Sequence, residues 1–419
     1  MSEVLATKWS KIQAMALARA FSLLGSELTL FTLVFREKAL GPAAVSLLFI
    51  VGTLPSIIFA PWAGSIADRF STKAVIPLLS VIGGAAVFAQ TQRLDTWAIL
   101  LLLFTANTCA SVVGPTWGKL LPLLATKDDM GRAMGTTQSY YSLAGLFGPA
   151  LAGILIAKTG FVLTFAIDGF FTTAMAVMPF ILAVNHKPEA LAPGEKTQVS
   201  KGFTFLWHNR LLRSLVILVF AMVLCISFIA VGDVFLLTNI MGADSLIYGL
   251  VSSGFAIGTF LFSLYAGTKK LTLQRELLIL GIGMAVLSLM GVAVGLSPNY
   301  WVVMVVWFIG GMSNATINSY GVSMMVKETP HEVQGRVFAA FGAVVSVASI
   351  GTMSIAGGLI GFFGVREVLV ASGALAFIAF LVLFPTVYRE QSKIIRATDV
   401  TSTEESASKG AANEEPATE

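Results

Sequence analysis

Residues 213–238 read RSLVILVFAMVLCISFIAVGDVFLLT. Past Arg213 the stretch carries one charge, Asp233. A hydrocarbon layer of about 30 Å is crossed by about 20 apolar residues in a helix, so this stretch can span a bilayer. Its apolar residues fall on every side rather than along one stripe, which excludes an amphipathic surface helix. Eleven further stretches read similarly, at approximately 12–35, 43–66, 74–91, 96–118, 133–157, 161–184, 246–267, 276–296, 300–325, 334–361 and 364–388. Strands of a membrane barrel would be about 10 residues long and alternate in character. The fold class is therefore an all-α membrane protein with twelve transmembrane helices.

Composition agrees. Of 419 residues 56% are hydrophobic and only 12% charged, and the mean hydropathy is +0.83. So few charges cannot cover a soluble core of this apolarity, and a disordered chain is excluded for the same reason. Two cysteines, Cys109 and Cys225, imply no disulfide framework and read as small apolar fillers. A net charge of +4 without basic runs argues against a nucleic-acid partner.

Most connectors are short, but residues 185–212 form a long one with Pro188, Pro193 and Gly194. It separates an N-terminal bundle of six spans, residues 1–184, from a C-terminal bundle, residues 213–390. Residues 391–419 are rich in Ser, Thr, Ala and Glu and are expected to be a disordered tail. With the N-terminus in the cytoplasm, 21 Lys and Arg fall on cytoplasmic segments and 5 on outer ones. Positive-inside asymmetry thus places both termini in the cytoplasm. Short loops and no targeting extension suggest a bacterial inner (plasma) membrane. The first apolar run is too long for a cleaved signal sequence.

The halves repeat weakly. At an offset of 204, Gly131-Arg132 falls on Gly335-Arg336, Gly153 on Gly357, Leu155 on Leu359 and Ile156 on Ile360; at 203, Ala63-Gly64 falls on Ala266-Gly267. A repeated six-helix half places a shared cavity at the interface, opened alternately to each side by rocking. That architecture argues for a transporter.

After the second span stands Gly64-Ser-Ile-Ala-Asp68-Arg69-Phe-Ser-Thr-Lys73. It resembles the loop signature of the major facilitator superfamily, Gly-x-x-x-Asp-Arg-x-Gly-Arg-Lys/Arg, with Ser71 and Thr72 departing from it. The resemblance extends through span count, central connector and repeat, and implies two pseudo-symmetric six-helix bundles. It also implies that Gly64, Asp68, Arg69 and Lys73 latch the cytoplasmic ends in the outward-facing state. The fifth span carries Gly135, Ala144, Gly148-Pro149 and Ala152-Gly153, similar to the superfamily's antiporter motif with two glycines replaced by alanine. Ser22-Leu-Leu-Gly25, Pro55 and Ser111-x-x-x-Pro115 further resemble the drug-efflux branch that includes macrolide and siderophore exporters.

Four ionisable groups fall well inside spans: Arg19, Glu27, Asp168 and Asp233. Each is expensive in lipid, by about 2.5–3.5 kcal/mol, and should face a partner or a wet cavity. At 1.5 Å per residue, Glu27 and Asp168 lie about 12 Å and Asp233 about 9 Å below their outer helix ends. In the superfamily the first and seventh spans line the cavity and the sixth is peripheral. Glu27 and Asp233 are therefore the favoured proton carriers over Asp168, with Arg19 a counter-ion or a snorkelling base. Asn107, Tyr140, Tyr141, Trp307, Asn314 and Asn318 are cavity candidates, in a pocket apolar enough for a bulky amphipathic guest.

No metal-ligand cluster, cofactor motif, nucleotide loop or reactive triad is found, so no enzyme is implied. The leading reading is a monomeric secondary transporter that exports hydrophobic or amphipathic small molecules in exchange for protons. Its rivals are an importer or facilitator of a nutrient on the same fold and a transport-inactive receptor or scaffold. The fifth-span motif disfavours the first rival, and the retained intramembrane acids disfavour the second.

Overall fold

The computed structural model describes residues 6–92, 94–126, 129–184, 199–268 and 272–412. The first half is built from α1 (Trp9–Glu37), α2 (Pro42–Ile58), α3 (Ala60–Arg69), α4 (Thr72–Ala89), α5 (Thr96–Gly118), α6 (Met130–Thr159), α7 (Phe161–Ala174) and α8 (Met178–Ile181). After α9 (Val199–His208), the second half follows. It comprises α10 (Arg210–Phe235), α11 (Ser245–Thr268), α12 (Leu273–Leu296), α13 (Tyr300–Thr316), α14 (Val322–Glu328), α15 (His331–Phe363) and α16 (Val365–Ala412). Among the described residues no strand occurs. Eleven helical stretches among the described residues are long and apolar enough to cross a bilayer. The remaining crossing is α2, of 17 residues, continued by α3. The bundle has a near face, where α1 begins, and a far face, where α1 ends.

Several crossings are not uniform α-helices; the sixth, for one, passes through a 3₁₀ turn at Met175–Val177 between α7 and α8. The second breaks at Phe59, between Pro55 and Pro61, because proline removes a backbone donor and crowds the preceding turn. α10 ends in a π-helical turn at Leu236–Ile240, and a second π-helical turn, Ile317–Gly321, joins α13 to α14. Such turns carry one backbone bond too few for an even ladder and recur at functional positions.

Two segments differ from the expectation of irregular chain. Within the 185–212 connector, α9 forms a short helix whose Leu206 is buried in the second half's core and which packs against α15. Asn209 then starts α10, its side-chain oxygen accepting the Leu212 N–H at 3.1 Å. α16 runs on through Ala412, well into the segment expected to be disordered. No glycine or proline stands between Pro385 and Gly410 to stop it, so backbone bonding propagates past the membrane.

The repeat is visible in the turns. Gly41, Gly160, Gly242 and Gly364 have φ of 95°, 71°, 71° and 96°, a region glycine enters without Cβ strain. Gly160 and Gly364 are 204 residues apart and follow the matching helices α6 and α15.

The halves meet through two related helix pairs, α6 with α11 and α2 with α15. A Cβ at Gly153 would fall 2.4 Å from the Ser245 carbonyl oxygen and 3.2 Å from Gly249 Cα; one at Gly357 would fall 2.6 Å from Ala43 Cα. Backbones approach this closely only where side chains are missing. The residues aligned by the sequence repeat, Gly153 and Gly357, are thus the matching contacts of the junction. First-half members of the core shared with the second half, such as Phe31, Val34, Val45 and Phe49, sit on the far stretch of α1 and in α2. The halves are clasped in their far portion.

Candidate functional site

A cavity of about 440 Å³ lies inside the first half, walled by α1, α2, α4, α5, α6 and α7. Three of the four intramembrane charges line it: Arg19, Glu27 and Asp168. Glu27 is seated by the antiporter-like motif. A Cβ at Gly148 would fall 2.7 Å from Glu27 Cβ and 3.0 Å from its Cγ, so the missing side chain on α6 makes room for the acid's stem. Among the described residues the Glu27 carboxylate has no hydrogen-bond or ion-pair partner.

Asp168 is 2% exposed. Its Oδ2 accepts from Thr29 Oγ1 at 2.6 Å and its Oδ1 from Thr172 Oγ1 at 3.1 Å. A Cβ at Gly25 would fall 2.5 Å from Asp168 Oδ1 and 2.9 Å from its Cα. The expectation that the sixth span is peripheral is corrected here: Gly25 lets α7 close onto α1 and carries Asp168 into the cavity wall. Arg19 holds its guanidinium 4.8 Å from the ring centre of Tyr141, a cation–π distance. Asn107 and Tyr141 also line the cavity, whereas Tyr140, one residue away on α6, does not.

Other candidates lie elsewhere. Asp233, 6% exposed, receives the Tyr248 hydroxyl of α11 at 3.3 Å from each carboxylate oxygen. The Tyr248 ring packs against Phe31 and Phe35 of α1 at 5.4 and 5.1 Å. Asp233 therefore belongs to the contact between halves and is not on the wall of this cavity, as was expected of a seventh-span acid. Trp307, Asn314 and Asn318 are in the second half. The Trp307 ring meets Phe255 edge-on at 5.4 Å, and Asn318 Nδ2 donates to Asn314 Oδ1 at 2.8 Å. The cavity itself is walled by first-half residues rather than by both halves.

Of the loop signature, the side chains of Gly64 and Asp68 lie outside the described residues, as does Gly135 of the α6 motif. Arg69 is exposed at the end of α3, and Lys73 Nζ lies 5.9 Å from the Phe180 ring centre. Pro149 and Gly153 serve the junction: a Cβ at Gly249 would fall 2.5 Å from the Pro149 carbonyl oxygen.

Residues 31–409 match the family described as transmembrane secretion effector, within the major facilitator superfamily. The chain belongs to this family. It is a membrane transporter of the major facilitator type, and its family and fold are those of transporters rather than enzymes. The transporter is 27% identical to the MFS-type transporter YfiS of Bacillus subtilis, over 83% of this chain and 85% of that one. It is 22% identical to macrolide efflux protein A of Streptococcus pyogenes, over 79% and 84%. Over 43% of its length, and 46% of the other's, it is 26% identical to the multidrug efflux pump Tap of Mycobacterium tuberculosis. In fold it is similar to the nucleoside transporter NupG, with a TM-score of 0.72 over 90% of this chain and 98% of that one at 14% identity. It is also similar to a bacterial homologue of the human lysosomal transporter Spinster in an inward-facing, unoccupied conformation, with a TM-score of 0.68 over 92% and 98% at 14% identity.

Besides Gly25, which the sequence reading took only as part of a branch signature, the transporter's site uses residues that it passed over: Thr29, Thr172 and Gln90. Two of them carry a readable signal. Gly25 with Thr29, and Asp168 with Thr172, are four apart, so each pair shares a helix face. With both acids ionised the trio Arg19, Glu27 and Asp168 carries one net negative charge. A membrane-embedded site in that state attracts a proton or an organic cation.

Proposed function

We propose that the protein is a secondary active exporter that moves hydrophobic or amphipathic small molecules out of the cell in exchange for protons. The observation that carries this is the Glu27–Asp168–Arg19 trio on the wall of a mostly apolar membrane-embedded cavity. The names of the efflux relatives support the direction of transport. Lys and Arg asymmetry supports cytoplasmic termini in a bacterial inner membrane, which makes the far face the outer one. The halves, clasped in their far portion, then present an inward-facing state.

In this reading a substrate enters from the near side and is held by apolar walls, with an ionised acid available to any positive group. Rocking opens the far face, and a proton taken up by a carboxylate competes with the guest and completes its release. Return of the neutral acid to the inward-facing state delivers the proton to the cytoplasm. Glu27, unpartnered, is the leading carrier and Asp168 the second. Asp233 acts at the junction between halves, with Tyr248. The Gly64, Asp68, Arg69 and Lys73 cluster latches the near ends in the alternate state. The protein works as a monomer.

Everted vesicles containing the protein, loaded with a fluorescent lipophilic cation, test this. Proton-dependent accumulation that is lost in Glu27→Gln, with substrate exchange retained, is expected. Undiminished proton-dependent transport by that variant removes Glu27 as the carrier, and inert vesicles with folded wild-type protein refute the exporter.

A further inference from the structure

Arg19 and Glu27 line the same cavity without meeting. Eight residues of α1 separate them, a rise of about 12 Å. Each is held by α6, which packs beside α1 and runs in the same direction. The Arg19 guanidinium lies 4.8 Å from the Tyr141 ring centre, and the stem of Glu27 fills the gap at Gly148. Tyr141 and Gly148 are seven residues apart, about 10.5 Å along α6, so both helices space the two charges alike. Among the described residues neither side chain has an ion-pair partner. Asp168 is not one for either, its two oxygens being taken by the hydroxyls of Thr29 and Thr172. Between the charges on α1 come Ser22, Leu23 and Ser26, and α5 adds Ala106, Ala110 and Val113 to the lining. The chamber thus holds one unneutralised cation and one unneutralised anion, two helical turns apart, on a mostly apolar wall.

We propose that the chamber takes dipolar guests: amphipathic molecules with an ammonium group at one end, a carboxylate at the other and an apolar body about two helical turns long between them. The ammonium rests on Glu27, towards the far face, and the carboxylate on Arg19, towards the near face. The reason is electrostatic. A charge that loses its water to a guest costs free energy unless it gains a partner. A guest with a single positive group pairs with Glu27 and leaves Arg19 covered by an apolar body, whereas a dipolar guest pairs with both. Arginine suits the acid end, because its planar fork of five donors matches a carboxylate and a ring contact leaves donors over. One body carrying both charges also makes the second contact intramolecular, so it needs no second binding event. The volume of about 440 Å³ is within the range of small-molecule sites. As cargo, this guest rests on the exporter reading; as a ligand, it does not.

Three rigid probes of one shape decide it. The first is 4′-(aminomethyl)biphenyl-4-carboxylate, which holds opposite charges about two helical turns apart. The others keep one charge each: biphenyl-4-ylmethylamine and biphenyl-4-carboxylate. Binding to the purified full chain in lipid nanodiscs is read by titration calorimetry at mildly alkaline pH, with empty nanodiscs subtracted. The dipolar probe should bind at least tenfold tighter than either of the others. Arg19→Gln should bring its affinity down to that of the amine, and Glu27→Gln down to that of the acid. An amine that binds wild type as tightly as the dipolar probe, or no binding by any probe, overturns the proposal, and this comparison needs no variant to fold. Counterflow of the dipolar probe in vesicles separates the two readings. Preferred binding without counterflow leaves a ligand site and overturns the exporter. Proton-dependent transport of the lipophilic cation with no preference for the dipolar probe leaves the exporter standing and overturns the dipolar guest.

Discussion

Gly153→Ala probes what holds the far face shut. A Cβ there would fall 2.4 Å from the Ser245 carbonyl oxygen, whereas ordinary contact begins near 3.4 Å. The obstacle is backbone, which cannot swing aside as a side chain would, so α6 and α11 must part by about 1 Å; overpacking of this kind costs about 1–3 kcal/mol. The cost applies only while the halves are clasped. Alanine's helix preference over glycine, about 1 kcal/mol, acts in both states and cancels. The equilibrium should therefore move about 5–150-fold toward the far-open state. Gly357→Ala, its repeat counterpart, should act in the same direction. The two changes should add, because they load different helix pairs.

Pulsed electron paramagnetic resonance reads the shift. Labels at Lys158→Cys and Phe362→Cys, exposed at the far ends of α6 and α15, report the gap in a background with Cys109 and Cys225 changed to alanine. A longer-distance population should grow in each variant and dominate in the double. If both single variants keep the wild-type distance distribution while folded, the glycine contacts are not what closes this face.

Three further outcomes follow from the contacts. Gly148→Ala pushes a methyl to within 2.7 Å of Glu27 Cβ, and should reduce proton-driven flux about tenfold, the equivalent of 1.4 kcal/mol from the overpacking range, measured in reconstituted vesicles. Thr29→Val removes the 2.6 Å bond to Asp168. Bonds of this kind between membrane helices are worth about 0.6–1.7 kcal/mol, so a thermal melt in detergent should fall by a few degrees (about 2–4 °C per kcal/mol), while Thr29→Ser stays near wild type. Tyr248→Phe loses only two long 3.3 Å contacts to Asp233 and keeps the ring against Phe31 and Phe35. Its melting point should drop far less than that of Tyr248→Ala, which empties a ring-sized space at about 3–5 kcal/mol.

Much of the site was legible residue by residue. Arg19, Glu27 and Asp168 stand out because a charge in an apolar run needs a reason, and Gly148 stands out in a motif of small residues. Asp168 was ranked below Asp233 because the sequence does not show that Gly25 leaves a gap for α7. Gln90 was invisible: a glutamine at a helix end is ordinary, and its place on the cavity wall is a property of neighbours on other helices.

Crossing number, the division into halves and the residues paired by the repeat follow from the chain alone, because hydrophobic transfer and backbone hydrogen bonding act within each helix. Packing obeys a different rule. In lipid, one apolar face is as good as another, so small residues and shape complementarity select neighbours, and these depend on all the helices at once. That is why Gly153 and Gly357 could be aligned from the sequence, while their seats against Ser245 and Ala43, the placing of Asp233 at the junction, and the cavity inside one half emerged only when the helices were assembled.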